Sequence, residues 1–124
     1  MKIEAEATRD YLIPYFVYSA KLEQLWRKDA LYIRQWQGEP KSVWFRRSRP
    51  KKERVAFYVP HLNIELDTHG YAISFTNGRH RTRWLLQAGK KEVPVGLEEG
   101  EIALADELGL LARTVRADDE LQLP

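Results

Sequence analysis

The stretch Asn77-Gly78-Arg79-His80-Arg81-Thr82-Arg83-Trp84 decides how this chain is read. Just before it, Tyr71, Ile73 and Phe75 alternate with Ala72, Ser74 and Thr76, the period of a strand with one buried face. Asn77-Gly78 then turns the chain. The run Trp84-Leu85-Leu86-Gln87-Ala88 continues a helix that starts near Arg79 and stops at Gly89, a residue type favoured just past a helix end. The helix therefore opens on three arginines and a histidine. The positive end of a helix dipole repels cations, so this arrangement is unfavourable unless an anion sits among them. Backbone N–H groups at a helix start bind phosphate, and arginine adds bidentate hydrogen bonds. Two readings fit: a phosphate-binding turn formed by Asn77, Gly78, Arg79, His80, Arg81 and Arg83, or a solvated basic helix end.

Working outward, 124 residues predict a single domain spanning 1–124. An apolar fraction of 44% with four tryptophans is enough to build a core. No apolar run approaches the ~18 residues of a membrane span. The stretch Met1-Lys2-Ile3-Glu4-Ala5-Glu6 lacks a secretory hydrophobic region, and the expected location is the cytoplasm. The absence of cysteine excludes disulfides, thiolate catalysis and cysteine-ligated zinc. The net charge is only +2, but it is unevenly placed. Arg46, Arg47, Arg49, Lys51, Lys52 and Arg54 form a basic run against the single acidic Glu53, whereas the stretch from Glu98 to Glu120 is acidic. The run reads either as a surface for nucleic acid or as a flexible solvated loop.

The remaining elements follow from periodicity. Because Pro14 cannot donate to a ladder, Tyr11 to Tyr18 predicts a short edge strand, or a strand beginning after the proline, around Tyr15 to Tyr18. Ser19 is placed to cap a helix over Ala20 to Lys28, with Leu22, Leu25 and Trp26 on its apolar face. Leu31 to Trp36 reads as a short strand or extended segment. Val55 to Val59 is a strand, and Leu62, Ile64 and Leu66 alternate into a hairpin with the Tyr71 strand through Asp67-Thr68-His69-Gly70. Glu92 to Leu97 is a further strand, expected to run parallel to the Tyr71 strand after a crossover helix. Glu101 to Leu108 predicts a helix closed by Gly109. Leu110 to Val115 reads as a last strand or coil. Met1 to Asp10 and Asp118 to Pro124 look uncommitted and frayed.

The order strand, Gly78-Arg79-His80-Arg81, helix to Gly89, then Val93-Pro94-Val95 resembles the ParB/sulfiredoxin-like superfamily. Within it the chain is most similar to plasmid fertility inhibition factors of the Osa type. Leu22-Glu23-Gln24-Leu25-Trp26-Arg27-Lys28-Asp29 with Tyr32-Ile33 extends the likeness upstream. The resemblance implies an α/β fold, a small mixed sheet with packed helices. It also implies a phosphate site in which Gly78 admits the anion and His80, Arg81 and Arg83 match contacting positions. It implies nucleotide binding, ATP among the candidates, with ATPase or DNase activity and a block on type IV secretion of DNA. Arg79 stands where sulfiredoxins carry their catalytic cysteine, which excludes peroxiredoxin repair. It also stands at the glutamate of the ParB motif, which argues against CTP hydrolysis with that magnesium geometry.

Turnover would need a metal or an acid–base pair. Glu65 and Asp67 share one strand face, with His69 and His61 nearby, and are the candidate ligands for magnesium. The plain alternative is a polar outer strand face. His80 reads as a phosphate donor or as a general acid–base. Two function classes follow: a phosphate-ligand protein, binding nucleotide or DNA and limiting conjugative transfer with or without turnover, and a non-catalytic protein docking onto a type IV secretion component. A ParB-like DNA-binding accessory domain is a third.

Overall fold

Alternation builds the central hairpin. A computed structural model describes all residues, Met1–Pro124. In it β5 (His61–Asp67) pairs antiparallel with β6 (Gly70–Asn77) from Asp67↔Gly70 to His61↔Asn77. Leu62 and Ile73 are fully buried on the shared inner face, but the hairpin runs out of the core, and Leu66 near its tip is 69% exposed. β7 (Glu92–Leu97) lies on the other side of β5 and is parallel to it. The expected parallel pairing of β7 with the Tyr71 strand is therefore corrected: β5 lies between them, and β6 is the sheet edge and antiparallel to β7.

β2 (Ile13–Tyr18) pairs antiparallel with β7 and, on its other side, with β8 (Leu111–Thr114), giving the order β6-β5-β7-β2-β8. The proline-bearing strand is thus interior, not an edge. Pro14 is tolerated because it faces Val115, just past the end of β8, where only its carbonyl is used, accepting Val115 N–H at 3.2 Å. A second sheet, β1-β4-β3, joins β1 (Lys2–Glu4), parallel to β4 (Arg54–Tyr58), with β3 (Phe45–Arg47), antiparallel to β4. The two mixed sheets and three helices make a small α/β fold. Residues 1–10 are therefore not uncommitted. Nor is the C-terminal segment frayed: Leu121 is buried, its N–H donating to Met1 O at 2.7 Å. The segment 31–36 holds no strand.

α1 (Ser19–Trp26) buries Leu22, Leu25 and Trp26 at the expected spacing. Ser19 does not cap it: the cap position is Tyr18, and the Ser19 hydroxyl is buried without a partner. α2 (Arg79–Leu86) sends Trp84 against Trp44, Phe45 and Phe57, at ring separations of 5.5, 6.2 and 6.5 Å, which ties it to the three-stranded sheet. α3 (Ile102–Glu107) ends before Gly109, which has φ +73°.

Gly78 joins β6 to α2 with φ +99°, in the left-handed region that costs a side-chain-bearing residue about 1–2 kcal/mol. A Cβ there would lie 2.4 Å from Pro60 Cβ and 3.0 Å from Arg81 Cζ. Strain and overlap together predict that Gly78→Ala lowers unfolding free energy by about 2–4 kcal/mol in urea titrations. A change below about 0.5 kcal/mol would contradict this turn geometry.

Candidate phosphate site at the start of α2

Arginines two residues apart on a helix point about 200° apart. That spacing divides the cationic cluster. Arg81 lies on the stripe of Trp84 and Leu85 and is only 2% exposed. Its Nη2 donates to Glu6 Oε1 at 3.2 Å and to Val59 O at 3.1 Å. Asn77 Nδ2 donates to the same Glu6 oxygen at 3.2 Å. Arg9 completes the group, with its Nε 3.8 Å from Glu6 Oε2. Burial pushes the Arg81 guanidinium down to about 10, against the opposing pull of Glu6, so it remains a cation at neutral pH.

Arg83 does not join this group. Its Nε donates to Ile33 O at 2.5 Å, and its Nη2 to both oxygens of Glu23 at 2.9 and 2.8 Å. The guanidinium carbon sits 5.1 Å from the ring centres of both Trp26 and Tyr32, and Tyr32 donates its hydroxyl to Glu23. Its Nε and Nη2 are thus both engaged inside the fold. The placement of Arg83 beside the other contacts is thereby corrected: it anchors α2 to α1 and to the loop after it.

Arg79 and His80 are half-buried. His80 packs edge-on against Trp36 at 5.2 Å. Burial, then Arg79, then Lys41 hold it below its ordinary 6.5, so it is neutral at pH 7 and able to donate one hydrogen bond. At Gly78 no side chain caps α2, so the N–H groups of its first turn have no side-chain partner. A cleft of about 460 Å³ opens here, lined by Glu6, Asn77, Arg81, Thr8 and Val43, among others.

The basic run is not a loose loop. Arg46 and Arg47 lie in β3, Arg54 begins β4, and Arg49, Lys51 and Lys52 crown the hairpin between them. Arg47 Nη1 holds the turn through Lys52 O at 2.8 Å, and Arg54 lies over the Phe45 ring at 4.5 Å. Arg49, Lys51 and Lys52 are exposed and make no ion pair. A second cleft of about 1010 Å³ lies along this hairpin and shares Phe45 and Tyr58 with the first.

The carboxylates expected to serve a metal lie elsewhere. Asp67 pairs with Gly70, seven residues from Asn77 along β6, which puts it about 24 Å from the turn. Glu65 accepts from the Ser74 hydroxyl at 2.8 Å, and Asp67 accepts from His69 N–H in a local turn. His61 is at the opposite end of β5, buried beside Arg9, with Nδ1 3.3 Å from Arg9 Nη1. No three acidic or histidine side chains gather to hold an ion. The expectation that Glu65 and Asp67 lie beside the turn is corrected, because the hairpin places them at its far tip.

Glu6 and Glu23 are the residues that the sequence reading missed. Their only sequence signal is indirect: Arg81, Trp84 and Leu85 share one helix face, and a cation on an apolar face needs a buried counter-charge.

His80 and His61 both titrate below 6.5, burial being the largest cause in each. The unfolded chain therefore binds protons first as pH falls through that value, so acid removes stability. Unfolding free energy should decline from about pH 7.5 to about pH 5.5, and His80→Gln should flatten the decline. A flat or rising profile in the unchanged protein would contradict this burial.

No helix is long and apolar enough to cross a membrane. Comparison with curated proteins and with solved structures returned no match. The family model for plasmid fertility inhibition factor matches residues 15–109, a span that includes most of β2 and all of α1, the hairpin, the cationic turn, α2 and β7. The mixed α/β architecture is compatible with the resemblance to the ParB/sulfiredoxin-like superfamily. By the extent of that match, this chain belongs to the plasmid fertility inhibition factor family.

Proposed function

We propose that this protein limits conjugative DNA transfer by binding a phosphate-bearing ligand, nucleotide or DNA, at the start of α2. One observation carries the reading. Arg81 and Asn77 converge on a single carboxylate at the mouth of a cleft, beside a helix N-terminus without a side-chain cap. A carboxylate held by a guanidinium and an amide marks a site complementary to an oxyanion. Arg79 and His80 add donors on the first turn of α2, and the basic hairpin extends the positive surface through the adjoining cleft.

The geometry supports binding more directly than turnover. The acidic residues suited to magnesium are at the far tip of the hairpin, and the carboxylate nearest the turn, Glu6, is engaged by Arg81. ATP hydrolysis or DNA cleavage, if carried out, would draw on groups other than Glu65 and Asp67. Docking onto a type IV secretion component is a role that phosphate binding would regulate or accompany.

Arg81→Gln should weaken affinity for a nucleotide or a short DNA strand by about 1.5–3 kcal/mol, the scale of a charge-assisted hydrogen bond. In donor cells the same variant should relieve the inhibition of transfer. Unchanged affinity in a folded variant would overturn the site. For DNA, log affinity should fall with log salt at about −0.9 per phosphate neutralised on duplex. Lys51→Gln with Lys52→Gln should flatten that slope by up to about two phosphates. A slope near zero in the unchanged protein would exclude the hairpin as a polyanion surface.

A further inference from the structure

The N-terminal segment carries two carboxylates, and both are seated on cationic groups that line the two clefts. Glu6 lies on Arg81 and Asn77. Glu4 lies on Arg46, with Oε1 2.5 Å from Nε and Oε2 3.4 Å from Nη2. Glu4 ends β1, and Glu6, two residues on, has φ −61° and ψ 147°. A chain of this kind rises about 3.1–3.4 Å per residue, so residues two apart lie about 6–7 Å apart along the backbone. Successive phosphates of an extended nucleic-acid strand have a similar spacing, whereas the phosphates of a nucleoside triphosphate lie much closer together. Tyr58, opposite Glu4 in the register of β1 with β4, lines both clefts between the two cationic points. Beyond Arg46 the cleft continues past Arg49 and Lys52, which have no acidic partner.

The internal seating is incomplete. Arg81 Nε is buried without a hydrogen-bond partner, on a side chain that lines the cleft. A carboxylate offers two oxygens; a phosphodiester adds further acceptors on a tetrahedral centre. The segment lies at an edge: β1 is a three-residue strand paired on one side only, with β4.

We propose that Glu4 and Glu6 occupy the positions of two successive phosphates, and that a single nucleic-acid strand binds by displacing them from Arg46 and Arg81. This rests on the phosphate reading of the turn and names its ligand: a strand, with Tyr58 available to a base between the two phosphates. The carboxylates act as an internal competitor that sets a threshold for binding.

The test uses a labelled oligo-thymidylate of about a dozen nucleotides, within the range one small domain covers. Glu4→Gln and Glu6→Gln keep the side-chain shape and remove the competing charge. Each should tighten binding by about 3- to 30-fold, the double variant more, and ATP should compete poorly. If the unchanged protein binds and Arg81→Gln weakens it, but the glutamine variants bind no better, the inference falls and the phosphate turn stands. If no variant binds, or Arg81→Gln has no effect, the phosphate turn itself falls. Should a glutamine variant lose its fold, carboxyl-carbon NMR on the unchanged protein decides. Saturation with the strand should shift the Glu4 and Glu6 signals, and unshifted signals would overturn the inference.

Discussion

A buried guanidinium needs a counter-charge, and α2 buries two. Arg81 and Arg83 are 2% and 6% exposed. Leaving either unpaired would cost several kcal/mol, on the order of 3–5 when one partner of a buried pair is removed. The chain meets the demand from opposite directions. Glu6 comes from the segment after β1, and Glu23 from α1. Two separate parts of the molecule are thereby fixed to one helix. Because the arginines leave the helix about 200° apart, the same requirement clamps it on both sides.

The two pairs differ in what they leave open. Around Arg83, two aromatic rings, a backbone carbonyl and a bidentate carboxylate close the site. That pair belongs to the structure. Around Arg81 a donor remains unsatisfied, and the cleft is open to solvent on the side of Asn77 and Glu6. The proposed function is placed at the Arg81 end of α2 for that reason, and the nearby basic hairpin would give such a surface length as well as charge.

Much of the frame was legible because its signals are local. The alternation of Leu62 to Leu66 and of Tyr71 to Phe75 gave the hairpin, and the run Glu92 to Leu97 matched β7 residue for residue. The helix ends at Gly89 and Gly109 were marked by residues that tolerate positive φ. What was hidden depends on partners distant in sequence. β1 is three residues long and pairs Lys2 with Ala56. The interior place of β2 depends on β8, which reaches Tyr15 only through Thr114. The cationic turn itself was legible, but not its division. Three arginines and a histidine in five residues look like one site, and only the helical angle between Arg81 and Arg83, with Glu6 and Glu23 arriving from elsewhere, separates them. Glu65 and Asp67 were rightly placed on one strand face, but periodicity does not reveal which end of a hairpin meets a turn.

Chemical-shift mapping on isotopically labelled protein tests the central claim most directly. Titration with oligo-thymidylate should move the backbone amides of Gly78 to Arg81 and the Arg81 Nε–H first and furthest, with Arg46 to Lys52 following and Glu65 to Gly70 still. Perturbation centred on the hairpin tip, or none in the α2 turn at saturation, would contradict it.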